Sequence, residues 1–424
     1  MSSDAISSVD GRYRTEAAPL AKYFSEKALM EKRFEVELAY LRFLVKEGIA
    51  PEGRVPRVAF SLSKVKSLEE KLGHDVKAVE VFIRDSLLSG PRGDLAPFVH
   101  LGLTSEDTNS LAFAVLLKSA LGEVLIPKFT ELALALARTA RRESNSAMLA
   151  RTHGRPAVPT TFGKEMAVFA VRMAERVALL KSARPMAKFS GAVGTYASFD
   201  LLGGGKWRKT LPGFVSEFGV EASTYSTQVV PGERLSDILH AVINLNQLMA
   251  SLARDLWSYQ AFDYVHFERP GKVSSSTMPQ KENPVDLENA EGQVELSNSL
   301  LQLQAYKLQV TRMQRDLSDS VVRRSVGEGL ALSYIAAGRI MKSLGSMKVD
   351  RGAMLRDLSA HPEVYAEREQ ILRRLKGDPR GYERVRAKSK QGQYRPAGKD
   401  LYLGEAPGLA TECPSVVRRL LSSS

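Results

Sequence analysis

From Glu233 to Arg269 the chain contains no glycine and no proline, and its apolar residues recur every three or four positions: Leu235, Ile238, Leu239, Val242, Leu245, Met249, Leu252 and Leu256. That spacing is one face of an α-helix. As a single helix the stretch would run roughly 55 Å, with Pro231-Gly232 marking its start. Gln293 to Val326 is a second such stretch, with a bend expected near Asp316–Asp319. Lys128 to His153 is a third, Lys164 to Arg184 a fourth and Ser105 to Leu121 a shorter fifth. Helices of this length need one another as cover, so the pattern predicts an all-α chain built on a bundle of long helices. Strand signals are sparse. Ser190 to Ser198 and Thr224 to Val230 read as short, β-leaning connectors.

Breaks at Pro51–Gly53 and Gly90–Gly93 cut the first part of the chain into shorter helices. The reading is therefore three parts: an N-terminal helical domain over 1–108, the long-helix bundle over 109–348, and a mixed, more basic C-terminal helical domain over 349–424. A chain of 424 residues is too long for one compact core, which agrees.

Composition narrows the class. The single cysteine, Cys413, excludes an internal disulfide framework and a cysteine-based zinc site, and fits a reducing compartment. No apolar run reaches membrane-spanning length, and the first residues lack the basic-then-apolar order of a signal peptide. These features predict a cytoplasmic protein. The net charge is +12, from 60 Lys+Arg against 48 Asp+Glu. The basic residues are scattered along helices without interleaved aromatics, so a nucleic-acid role rests on charge alone. A polyanionic small substrate accounts for the charge equally well.

The segment Lys272 to Gly292, KVSSSTMPQKENPVDLENAEG, carries the strongest chemical signal. Three serines between Pro270-Gly271 and Met278-Pro279 read as a mobile loop presenting a hydroxyl. Lys281 and Asn283 follow as a cation and an amide donor. A base with donors for the charge that develops suits proton abstraction next to a carboxylate. Of six histidines, His74, His100 and His153 stand in polar, glycine-punctuated contexts, whereas His240 lies on an apolar helical face and reads as structural. His153 falls where the third helical stretch gives way to a turn. Thr104-Ser105-Glu106-Asp107 reads as a helix cap with an acidic first turn, and also as an anion site, provided Glu106 and Asp107 point elsewhere. Arg315, Ser320 and Arg324 could clamp a phosphate, or pair with Asp316 and Asp319 on the surface. No metal-ligand spacing and no dinucleotide or Walker fingerprint is present, so no metal is implied.

SSSTMPQKENP resembles the signature loop of the fumarase/aspartase superfamily, whose usual form is Gly-Ser-Ser-x-Met-Pro-x-Lys-x-Asn. HLGLTSEDTNSLA and ARTHGRPAVPTTFGKEMA resemble that superfamily's other two regions in the version found in adenylosuccinate lyases. SSVDGRYR, HDVKAVE, GAVGTYAS, TQVVPGER and RMQRDLSDSVVRRSVGEG resemble the same family, in order, from about Ser8 to about Lys376. The resemblance implies a helical three-domain subunit, a homotetramer with active sites shared between subunits, and β-elimination of fumarate from adenylosuccinate and from succinylaminoimidazole carboxamide ribotide, without a cofactor.

It also implies roles. Ser275 matches the base and His153 the general acid, while His100 and His74 match histidines that position substrate and support proton transfer. Lys281 and Asn283, with Thr104 and Ser105, match binders of the carboxylate. Arg12, Tyr13, Arg315, Ser320 and Arg324 match phosphate and carboxylate contacts, and Thr152 and Gln228 match substrate contacts. Ser274 replaces the usual glycine before the serine, and Arg155 stands where glutamine is usual. The rival readings are a sister lyase such as an argininosuccinate lyase, a binding protein that kept the fold, and a basic nucleic-acid binder. The arginines and Arg12-Tyr13 favour a nucleotide phosphate over the first, and the intact Ser275, His153, Lys281 and Asn283 argue against the second.

Overall fold

The computed structural model describes residues 4–268, 277, 278, 280–391, 394 and 401–422. Helices dominate it, and three two-stranded sheets complete the regular structure among those residues. The chain forms two compact units. The first comprises Met1–Pro127, Leu180–Asn244 and Leu296–Ile335; the second comprises Lys128–Leu179, Leu245–Glu295 and Ala336–Ser424.

The expected long helices are present with corrected ends. The helix Glu233–Ala261 is shorter than its glycine-free pattern allows. Asp263 takes a left-handed conformation at φ 59°. The amide of Tyr264 donates to Tyr259 O at 2.9 Å and that of Asp263 to Gln260 O at 2.9 Å. These two bonds form a Schellman cap, with aspartate in the position glycine usually takes. The chain then enters the strand Val265–Phe267, which pairs antiparallel with Met347–Val349.

The second stretch is interrupted. Val285–Lys307 is one helix, Ser318–Arg324 a short one, and Val326–Ser346 the next. The expected bend is a full break, with Met313 at φ 50°. The third stretch ends early too: Ile126–Arg142 is helical, and Ala147–Thr152 is a strand paired with Arg155–Thr161. Ser190–Ser198 and Thr224–Val230 are not strands; the parallel pair beside them is Met186–Ala187 with Glu221–Ala222. The run Ser105–Arg142 contains an 18-residue window long and apolar enough to cross a bilayer, contrary to the sequence reading, and half of that window is buried within the fold.

The first unit packs around the helix Glu26–Lys46. Tyr40, Phe43, Phe189, Trp207 and Phe214 form its aromatic centre, with ring centroids as close as 5.0 Å between Phe43 and Phe214. This rigid centre matters because the same helix buries two charged residues, Arg33 and Glu37, which reach toward the loops that carry the candidate site.

Candidate active site

The first unit holds Arg12, Tyr13, His74, His100, Thr104, Ser105, Gln228, Arg315, Ser320 and Arg324. His74 caps the helix Asp75–Leu88, and its Nδ1 accepts from the amide of Lys77 at 3.2 Å. An accepting Nδ1 carries no proton, so the ring's hydrogen sits on Nε2 and is available to a ligand. The next residue, Asp75, joins the cap to two arginines. Arg33 and Arg324 each lie 2.9 Å from its Oδ2. Burial pushes the Asp75 carboxyl up, but Arg33, the Val76 amide and Arg324 outweigh it and hold it below its ordinary value.

Thr104 begins the helix Ser105–Ala120, and its amide donates to Asp107 Oδ2 at 2.8 Å. Asp107 and Glu106 both turn into the protein, as an anion site at this helix start requires. Asp107 pairs with Lys188 at 2.9 Å, with neither side chain exposed. Glu106 is ion-paired to Arg323 and lies 3.5 Å from Arg315. Its burial raises the carboxyl, and the arginines more than reverse that and hold it low. Thr104 and Ser105 are left half-buried at the helix N-terminus.

Arg315 also donates to Gln228 Oε1 at 3.2 Å, while Gln228 Nε2 donates to Ala192 O at 3.0 Å. Arg33, Glu106, Asn109, Arg315, Ser320, Arg323 and Arg324 line one small cavity of ≈ 50 Å³. Four guanidinium groups there face the carboxylates of Glu106, Asp75 and Asp319, an imbalance that suits an anion. Asp319 binds Arg315 and Arg323, but Asp316 does not join them. Asp316 caps its own turn through Ser318 and the Arg312 amide, and its carboxyl is pulled down to about 2 chiefly by the Ser318 hydroxyl. A larger cleft of ≈ 870 Å³ runs from Arg324 and Ser325 to Asp10 and Arg14, which flank Arg12 and Tyr13 in sequence.

His100 sits at φ 60°. Its Nδ1 lies 2.7 Å from Oε1 of the buried Glu37, which also accepts from Thr108 Oγ1 at 2.6 Å.

In the second unit, Thr152 and His153 occupy the tip of the antiparallel hairpin. Thr152 pairs with Arg155, and the two residues between them, His153 and Gly154, have φ 53° and 71°. Positive φ at both central positions is the tight two-residue hairpin turn, and glycine at the second position relieves half its strain. The turn leaves His153 and Arg155 exposed. Arg151, two residues back, is fixed by Asp357 at 2.5 Å and by the Phe262 ring, 4.5 Å from its guanidinium carbon. Tyr264 donates to the same Asp357. Lys281 is exposed and Asn283 half-buried, just before the helix Val285–Lys307. Ser274 and Ser275 lie outside the described residues.

Sequence reasoning missed the supporting ions: Glu37, Asp75, Arg33, Lys188 and Arg323. Arg33 and Glu37 were detectable, since they interrupt an otherwise apolar helical stripe that includes Met30, Phe34, Tyr40 and Leu44. Among the described residues no group of three histidine, cysteine, aspartate or glutamate side chains is placed to hold a metal.

Comparison with known proteins defines the family. The family described as Lyase matches residues 11–295, and the family described as Adenylosuccinate lyase C-terminal matches residues 311–399. In overall fold the chain is similar to 3-carboxy-cis,cis-muconate lactonizing enzyme from Pseudomonas putida, with a TM-score of 0.79 at 18% identity over 95% of this chain and 97% of that one. Fumarate lyase from Mesorhizobium sp. BNC1 gives a TM-score of 0.75 at 17% identity over 96% and 98%. The fold is thus that of the fumarase/aspartase-type lyases. Adenylosuccinate lyase of Legionella pneumophila (strain Corby) is 35% identical over 405 residues, covering 90% of this chain and 88% of the relative. That of Escherichia coli (strain K12) is 35% identical over 401 residues with the same coverage. The chain belongs to the adenylosuccinate lyase family, a family of carbon–nitrogen lyases.

Proposed function

We propose that this chain cleaves adenylosuccinate to AMP and fumarate, and succinylaminoimidazole carboxamide ribotide to its amide product and fumarate. The observation that carries the reading is the cavity lined by Arg33, Arg315, Ser320, Arg323 and Arg324, whose cationic lining suits the phosphate end of such a ligand. Arg315, Ser320 and Arg324, with Arg12 and Tyr13, hold the phosphate end, and Gln228 and Thr152 contact the substrate.

In this mechanism Ser275 removes the proton from the carbon next to a succinyl carboxylate. Lys281, Asn283, Thr104 and Ser105 bind that carboxylate as it takes up the electron pair. The carbon–nitrogen bond then breaks, and His153 protonates the departing nitrogen. A serine is a weak base at its free pKa, so the site must exclude water and supply dipoles when substrate is bound. His74 and His100 orient the ligand. Arg155 adds a cation beside His153 and would strengthen binding of anionic substrate. No cofactor enters the scheme.

The active assembly is a homotetramer with sites shared between subunits, and the three-part division at 108 and 348 belongs to the same reading. Support for assembly comes from the helix Val285–Lys307, which has no single apolar face. Leu287, Val294 and Leu301 are buried, yet Leu296, Leu303 and Tyr306 are each 58% exposed. A helix apolar on both sides needs a second partner. A cytoplasmic location completes the proposal.

The test is to mix the purified protein with adenylosuccinate and follow loss of absorbance together with fumarate release. Equimolar AMP and fumarate are expected. Silence with adenylosuccinate but turnover of argininosuccinate would move the assignment to the sister activity.

A further inference from the structure

Glu37 occupies a core-facing position on the helix Glu26–Lys46, between Phe34 and Tyr40, and its side chain has no solvent exposure. A carboxylate in such a place must be used or neutralised. One oxygen, Oε1, takes both His100 Nδ1 at 2.7 Å and Thr108 Oγ1 at 2.6 Å. The other oxygen, Oε2, is buried with no hydrogen-bond partner among the described residues. The carboxylate is therefore committed to the imidazole from one side and unbalanced on the other.

The backbone that carries His100 is pinned as firmly as the ring. His100 sits in the left-handed region at φ 60°, where a non-glycine residue is strained. Tyr40 Oη donates to Leu101 O at 2.8 Å, and Ser198 Oγ donates to Gly102 O at 2.6 Å. The turn closes through Leu103 N to His100 O at 3.2 Å, one residue before Thr104. Since a carboxylate only accepts, Nδ1 is the donor to Glu37. Nε2 has no hydrogen-bond partner among the described residues, and the side chain is 13% exposed.

We propose that Glu37 is a positioning residue that locks His100 in one orientation and favours its protonated form, so that His100 Nε2 is presented to a carboxylate of the succinyl ligand. This rests on the functional reading above for the identity of the ligand, but not for the state of the imidazole. The groups acting on His100 are Glu37 on its own side, Glu80 from the helix Asp75–Leu88, and Asp107 from the helix Ser105–Ala120, the last already paired with Lys188. Tyr40 stays neutral beside them, its hydroxyl pushed far up by burial. Burial of the His100 ring opposes its charge, yet the three carboxylates outweigh it and hold the imidazole above its ordinary value.

The experiment reads each histidine separately, by deuterium exchange at the imidazole Cε1 followed by mass spectrometry across pH. Glu37→Gln keeps an acceptor and removes the charge. The His100 midpoint should fall by about one pH unit or more, whereas Glu37→Asp should hold it near the parent value. In turnover of the succinyl substrate, Glu37→Gln should raise KM about tenfold above the new midpoint and much less below it, with kcat changed less than KM. An unmoved midpoint in Glu37→Gln would overturn the proposal, as would a uniform fall in kcat at every pH with KM unchanged. Should Glu37→Gln fail to fold, Thr108→Val removes the competing donor on Oε1, and the midpoint should rise; a fall would overturn the idea. If the parent protein does not turn over succinyl nucleotides, the functional reading fails, while the His100 titration still decides the pairing.

Discussion

Removing the Asp107 carboxylate should cost more than removing any exposed charge on this chain. Asp107 and Lys188 are 2.9 Å apart with no solvent exposure on either side chain. Asp107 Oδ1 also accepts from the Ser190 amide at 2.9 Å and the Gly191 amide at 3.3 Å, and Oδ2 from the Thr104 amide at 2.8 Å. Lys188 keeps one bond, to Gly191 O at 2.6 Å. Asp107→Ala thus leaves a buried ammonium without its counter-charge and frees three backbone donors. Breaking such a pair costs about 3–5 kcal/mol. That is a large part of a typical total stability of about 5–15 kcal/mol. With a urea dependence on the order of 3 kcal/mol per molar, the unfolding midpoint should drop by roughly 1 M or more.

The control is Asp107→Ala with Lys188→Met. Removing both charges should recover about 1–3 kcal/mol of the loss. Urea unfolding followed by far-UV circular dichroism, at one fixed protein concentration because assembly contributes to stability, measures all three. A single-variant loss under 1 kcal/mol, or a double variant worse than the single, would refute the reasoning. The outcome bears on the candidate site, because Asp107 fixes the Thr104–Ser105 helix start by accepting the Thr104 amide.

Acid should unfold the protein through the arginine cluster. Asp75 and Glu106 both sit below the ordinary carboxyl value, burial raising each and the arginines more than reversing it. The unfolded chain takes up these protons first as pH falls, so their contribution is complete above roughly pH 5 and is lost below it; Glu106→Gln should flatten the decline of the melting temperature from pH 5 to pH 3. Gly154→Ala should cost only about 1–2 kcal/mol, since its Cβ would meet nothing within 4 Å and only the left-handed backbone at φ 71° objects. Gly194→Ala should cost clearly more by thermal unfolding, because at φ 79° its Cβ would stand 2.0 Å from Ser226 O, a backbone atom that cannot move aside. Asp357→Asn should lower kcat while sparing the fold, since Asp357 braces Arg151 two residues before His153; an unchanged kcat would show that the brace does not set the hairpin.

Much of the fold was legible because long apolar periodicities leave few alternatives. Glu233–Ala261 and Phe162–Lys181 appear where their stripes placed them. The misses came from local geometry that overrides pattern. Asp263 ends a helix in a conformation that no apolar spacing announces. The segment Ala147–Thr152 continues an alanine-rich pattern, yet it pairs as a strand because His153-Gly154 closes a tight turn. The candidate ligands were legible as motifs, since loops with fixed chemistry keep recognisable residue orders. Their buried counter-ions were not, because a partner such as Glu37 lies 63 residues from His100 in sequence and declares itself only as a charge on an apolar face. Glu106 and Asp107 were read as residues that must avoid the ligand, and both are buried against Arg323 and Lys188.

The central claim is that Ser275 takes the proton and His153 gives one, each supplied to a given site by a different copy of the chain. Ser275→Ala and His153→Ala should each abolish turnover of adenylosuccinate while leaving assembly intact. Dissociating the two inactive proteins, mixing them in equal amounts and reassembling them should restore about a quarter of the parental activity per site, the fraction of random pairings with both residues present. Recovery at that level is the predicted result. Full activity in either single variant, or no recovery in the mixture when parental protein treated alike regains its turnover, would contradict it.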